Sequence, residues 1–162
     1  MFPLKLMGEY LLWANQVVWK TVLSLSDEEF DQPVGARVGS IRSRYVHMVE
    51  GLWGWCQRWA GEAKDPRPDF DSLGRDELNE YLTAYNQRII NMIDEPVARE
   101  HELETHRGKM SFSVEEFFFN LANHATYHRG QIDMALRLLG KEVVPTDYFP
   151  FRLDSLGRDL VR

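Results

Sequence analysis

The chain has 162 residues, 44% apolar and 27% charged, which suits one domain able to fold without a disulfide or a structural metal. A formal net charge of −6 without a basic stripe argues against nucleic-acid binding through phosphates, and no apolar run approaches the roughly 18 residues of a membrane span. The single Cys56 cannot make an internal disulfide and the first residues lack a signal-peptide pattern, so a cytoplasmic protein is expected.

Pro3 suits a first helical turn, and Leu4, Met7, Leu11, Ala14, Val18 and Val22 recur at helical spacing, which predicts a first helix over residues 4–24. Ser26 and Glu29 have the spacing of a capping box, so a short helical turn follows and Gln32-Pro33 stops it. After a loop at Gly35 and Gly39, Ser40 caps a second helix over 41–60, with Ile41, Tyr45, Met48, Leu52, Cys56 and Trp59 as its buried stripe. Cys56 reads as a small core residue and not as a nucleophile. His47 lies beside that stripe, at the boundary between core and groove. Gly51 and Gly54 thin the same helix at about 1 kcal/mol each, which asks for a packing or access reason.

Gly61 to Asp71, with Pro66 and Pro68, reads as a loop. Asp71 or Ser72 starts a third helix over 73–94 with Leu78, Leu82, Tyr85, Ile89, Met92 and Ile93 inward, and Pro96 ends it. Alternation from Ala98 to Phe112, with a turn at Gly108-Lys109, predicts a short irregular hairpin holding His101 and His106. Ser113 and Glu116 form a second capping box, opening a fourth helix over 114–139 that Gly140 closes; an aromatic tail follows to Phe151. Four amphipathic segments without a convincing sheet give an all-α chain, most simply a four-helix bundle forming a single domain over 1–162.

The fourth helix carries His124 and His128. Four residues advance about 400° around a helix, so the two imidazoles lie roughly 40° apart on one face and about 6 Å apart along the axis, where they can share a metal ion. Histidines at this spacing also occur on solvated faces. Here Phe117, Leu121, Ala125, Ile132 and Ala135 flank the pair, so it borders a buried face and needs a partner: a metal, a carboxylate or a carbonyl. Periodicity does not choose a third ligand among His47, His101 and His106.

Three stretches together carry a resemblance: Tyr10-Leu11-Leu12-Trp13-Ala14-Asn15, Gly39-Ser40-Ile41-Arg42 leading to His47, and His124-Ala125-Thr126-Tyr127-His128-Arg129-Gly130-Gln131. Over nearly its whole length the chain resembles the DinB/YfiT-like family of small metal-binding four-helix proteins. The resemblance implies an up-down-down-up bundle, commonly a homodimer, with a long crossover between the second and third helices for which Gly61 to Asp71 is available. It also implies a divalent metal on His47, His124 and His128. Members with assigned reactions resemble transferases or isomerases that use low-molecular-weight thiols. Three neutral imidazoles leave positions open for water or substrate, as catalytic sites require, and they suit zinc, nickel or iron.

Around these ligands, Glu50 is a candidate to orient an imidazole or act as a base, against the alternative of a solvated or ion-paired carboxylate. Asn15, Arg129 and Gln131 are candidates for substrate binding; Asn15 could instead pin a helix contact, and Arg129 could pair with an acidic residue across the bundle. Trp53, Trp55 and Trp59 wall a pocket or fill the core. The leading expectation is a metal-dependent enzyme that activates a thiol or water, of transferase, isomerase or hydrolase type, with a small-molecule substrate and neither nucleic acid nor membrane as partner. The other is a stress-related metal-binding structural or interaction protein without turnover. Phe117, Phe118 and Phe119 span about 200° of the fourth helix, more than the roughly 100° one core uses, which predicts a homodimer near the start of that helix or cover by the hairpin or tail.

Overall fold

Capping residues mark most of the helix starts. The computed structural model describes residues 3–35, 39–59, 66–94, 100–105 and 108–158. Helix α1 runs Leu4–Val22, with Pro3 one residue outside it at the N-cap, where its missing N–H costs nothing. Ser26 and Glu29 exchange both bonds of a capping box and open the short α2, Asp27–Asp31. Ser40 and Ser43 make a similar exchange, each backbone N–H reaching the other's hydroxyl at 3.1 Å, and start α3, Ile41–Trp59.

Helix α4, Arg75–Met92, begins later than the sequence suggests. Asp71 and Ser72 belong to a 3-10 turn, Phe70–Ser72, anchored by the fully buried Phe70, and Gly74 takes the cap, its N–H donating to Glu77 Oε2 at 2.7 Å. The expected hairpin is present, but Gly108 and Lys109 open its second strand and do not form its turn: β1, Glu100–Thr105, pairs antiparallel with β2, Gly108–Ser113, with His101 opposite Phe112. Ser113 and Glu116 cap α5, Val114–Leu138. Gly140, at φ 73°, ends it by a Schellman arrangement in which Lys141 N–H reaches Leu136 O at 2.9 Å. The aromatic tail carries a further short helix. Tyr148–Asp154 forms α6, because Pro150 falls in the first turn, where an amide hydrogen is not needed. Phe151 buries itself against Tyr10 and Trp13.

The fold is therefore mostly helical with one small two-stranded sheet. Helices α1 and α3 each pack against both α4 and α5. Buried apolar side chains gather in two main clusters: Val22, Tyr45, Leu82 and Leu136 belong to one, Leu11, Trp59, Ile89 and Phe117 to the other. Between the clusters, three of the four helices that span both change character, α3 being the exception. Asn15 on α1, Asn86 on α4, and His128 and Arg129 on α5 are all buried, so a polar layer divides the apolar interior. Phe117 and Phe118 join the core, whereas Phe119 is 67% exposed beside Met7 and Tyr148. No helix among the described residues is long and apolar enough to cross a membrane. The expected loop from Gly61 falls partly outside the described residues, as do Pro96 and His106.

Candidate metal centre

The packing of α3 on α5 brings His47 to the His124–His128 pair. One ligand nitrogen from each ring lies within 4.8 Å of the others. The Nε2 atoms of His124 and His128 are 3.2 Å apart, near the roughly 3.3 Å edge of a tetrahedron built on zinc–nitrogen bonds of about 2.0–2.1 Å. The His47 ring centroid is 4.5 Å from that of His128 and 5.6 Å from that of His124. His128 is buried while His47 and His124 are exposed, so the group is anchored in the protein on one side and faces solvent on the other.

The hydrogen bonds around His128 fix its tautomer. Arg44 Nη1 lies 3.2 Å from Gln131 Oε1, and a guanidinium can only donate, so the amide atom facing it is the oxygen. The same oxygen is 3.0 Å from His128 Nδ1, which must therefore carry the hydrogen and donate. The Nε2 lone pair is left directed at the other imidazoles. Across the 3.2 Å contact, His124 Nε2 is then the donor. Burial pushes the His128 imidazole down to about 4; the Gln131 bond opposes this, and the charges of His124, His47 and Arg44 add to it. Burial and the neighbouring His47 also lower His124. Neutral imidazoles at neutral pH are the form a cation needs, so the donor set fits a divalent metal.

The other expected residues divide. Glu50 accepts from Arg67 Nε at 2.7 Å, Arg67 also holds Asp71, and among the described residues no histidine bonds to Glu50. Arg129 is buried and donates to neutral oxygens: Nη1 to Asn15 Oδ1 at 3.3 Å, and Nη2 to Tyr10 Oη at 3.1 Å and Thr126 Oγ1 at 2.9 Å; Asp133, one turn on, acts on it through charge, and among the described residues no carboxylate is bonded to it. Asn15 and Arg129 thus tie α5 to α1, while Gln131 serves His128. Trp53 packs on Phe70, and Trp55 and Trp59 pack on Phe117. His101 stacks on Trp59 at 4.1 Å and stands apart from the three-histidine group. Sequence reasoning passed over Arg44 and Asn86. Arg44 sits one turn before His47, and Asn86 is a polar residue at core spacing between Leu82 and Ile89; both signals were present.

The chain matches the family model described as DinB family over residues 1–155. It is also similar to Protein DinB of Bacillus subtilis (strain 168), at 27% identity over 151 residues that cover 86% of this chain and 88% of that protein.

Proposed function

We propose that this chain, which belongs to the DinB family, binds one divalent metal ion through His47, His124 and His128 and uses it as an enzyme acting on a small molecule. The observation that carries the reading is the convergence of three imidazole nitrogens within 4.8 Å across two helices. A divalent cation held by three neutral ligands keeps its charge and lowers the pKa of a thiol or water at its open position, which suits thiol transfer, thiol-assisted isomerisation or hydrolysis. Zinc, nickel and iron all accept imidazole. Within this reading the protein's own groups have separate tasks. His128 offers Nε2 because Gln131 holds its Nδ1–H, and Arg44 holds Gln131. Asn15 and Arg129 fix α5 against α1 from behind.

The reading takes α1, α3, α4 and α5 as an up-down-down-up four-helix bundle, supported by the packing of α1 and α3 on both α4 and α5. A homodimer that covers the exposed Phe119 at the start of α5 belongs to it, and a monomer by light scattering at micromolar concentration would remove that part. A lone Cys56 suits the cytoplasm. A metal-binding interaction protein without turnover is the second reading, favoured by the tie of Glu50 to Arg67, which leaves no carboxylate bonded to the histidines among the described residues. The two part on thiol binding. Calorimetry on cobalt-loaded protein should detect a low-molecular-weight thiol, with its charge-transfer absorption, and His47→Ala should lose it. Equal thiol binding with and without metal favours the second reading.

A further inference from the structure

A cavity of about 30 Å³ lies where α1, α3, α4 and α5 meet, bounded by Asn15, Gly51, Asn86 and His124, with apolar walls from Leu11 and Leu121. Asn15 and Asn86 are only 6% and 5% exposed, and each has one end of its amide assigned by its partner. Asn15 Oδ1 accepts from the Arg129 guanidinium, which only donates, so the other end of Asn15 is the NH2 donor. Asn86 Nδ2 donates to the Leu82 carbonyl at 2.9 Å, and a carbonyl only accepts, so the other end of Asn86 is the oxygen acceptor. Among the described residues neither of these second ends has a hydrogen-bond partner and neither is fully buried, and both residues line the cavity. Buried amide groups normally find partners. The cavity therefore offers one donor and one acceptor on apolar walls, with no charged side chain around it, next to a histidine of the metal group.

Gly51 borders this space. A β-carbon at Gly51 would meet no atom within 4 Å, so packing against a neighbour does not explain a glycine in the middle of α3, where it weakens the helix. Room for a ligand does. The volume is that of about two water-sized groups, and a carboxylate entering it would have to leave water for a single donor.

We propose that this cavity is a subsite for a small uncharged group that both accepts and donates hydrogen bonds, a primary carboxamide, with Asn15 Nδ2 donating to its carbonyl and Asn86 Oδ1 accepting from its amino group. That the carboxamide belongs to a substrate of the metal centre rests on the proposed function; the chemistry of the cavity does not.

Acetamide and acetate, alike in size and shape, are titrated into ¹⁵N-labelled metal-free protein while the side-chain amide resonances of Asn15 and Asn86 are followed. Acetamide should shift them saturably in the millimolar range, and acetate should bind about tenfold more weakly or worse. Gly51→Val, which fills the space, and Asn86→Leu, which removes the acceptor, should each abolish the saturable shift in protein with unchanged helical circular dichroism. Equal response to acetate and acetamide, undiminished acetamide binding in both variants, or no saturable shift in the wild type, which means water only, would each overturn the proposal. Acetamide binding by a protein that takes up no metal would keep the cavity and sink the metal reading. Metal uptake without acetamide binding would do the reverse.

Discussion

Gln131→Leu nearly preserves side-chain volume while removing the oxygen that receives two donors, His128 Nδ1 at 3.0 Å and Arg44 Nη1 at 3.2 Å. His128 is 4% exposed, so water replaces the lost acceptor poorly, and the unpaired imidazole N–H costs about 1–3 kcal/mol. The ring is then free to move its hydrogen to Nε2, the atom the metal requires. Loss of such a supporting partner typically lowers metal affinity about 10–100-fold, or about 1.4–2.7 kcal/mol. Competition against a chromophoric chelator measures this loss, and long-range ¹⁵N correlation spectra report whether His128 still carries its hydrogen on Nδ1. Gln131→Glu keeps the acceptor and should bind metal at least as tightly as the wild type. Metal binding by Gln131→Leu within about twofold of the wild type, with His128 in the same tautomer, would refute this role of Gln131.

Acid should weaken the metal-free fold through His128. Its folded value of about 4 lies below the ordinary 6.5, so the unfolded chain binds the extra proton first; this contribution is complete above about pH 6.5 and disappears as pH falls through 4, with a ceiling of about 3 kcal/mol that solvent screening reduces. Urea midpoints at pH 7 and 5 should fall further for the wild type than for His128→Asn, and parallel falls would contradict the assignment. Gly8→Ala tests the α1–α4 contact: the new β-carbon would sit 2.6 Å from Ile90 Cγ1 on a buried, branched side chain. Overpacking of about 1–3 kcal/mol should outweigh the roughly 1 kcal/mol gain in helix propensity, so a higher melting temperature by circular dichroism would refute that packing.

Local signals were legible in the sequence where a few neighbouring residues settle the outcome. Ser26, Ser113 and Gly140 set helix ends by bonds within one turn, and the His124–His128 pair is a property of one helix face. His47 is different in kind. It reaches the pair only because α3 packs on α5, and no spacing within a chain encodes that; the resemblance to a family supplied it. The tail carried no assigned element, yet α6 forms there, because in its first turn Pro150 replaces an amide hydrogen that has no partner to lose. The α4 start moved because burial of Phe70 holds the preceding residues in a separate turn. Arg44, Gln131 and Asn86 owe their parts to contacts or a cavity shared between helices, so sequence could flag them as polar residues near core positions but could not say what they face.

The central claim is that His47, His124 and His128 form one metal site, and metal content reads it most directly. Elemental analysis of protein purified without chelator, then after reconstitution with excess zinc and desalting, should give about one divalent ion per chain. His47→Ala, His124→Ala and His128→Ala should each lose most of it, while His101→Ala, stacked on Trp59 away from the group, should keep it. Full occupancy in the three single variants, or equal loss in His101→Ala, would contradict the account.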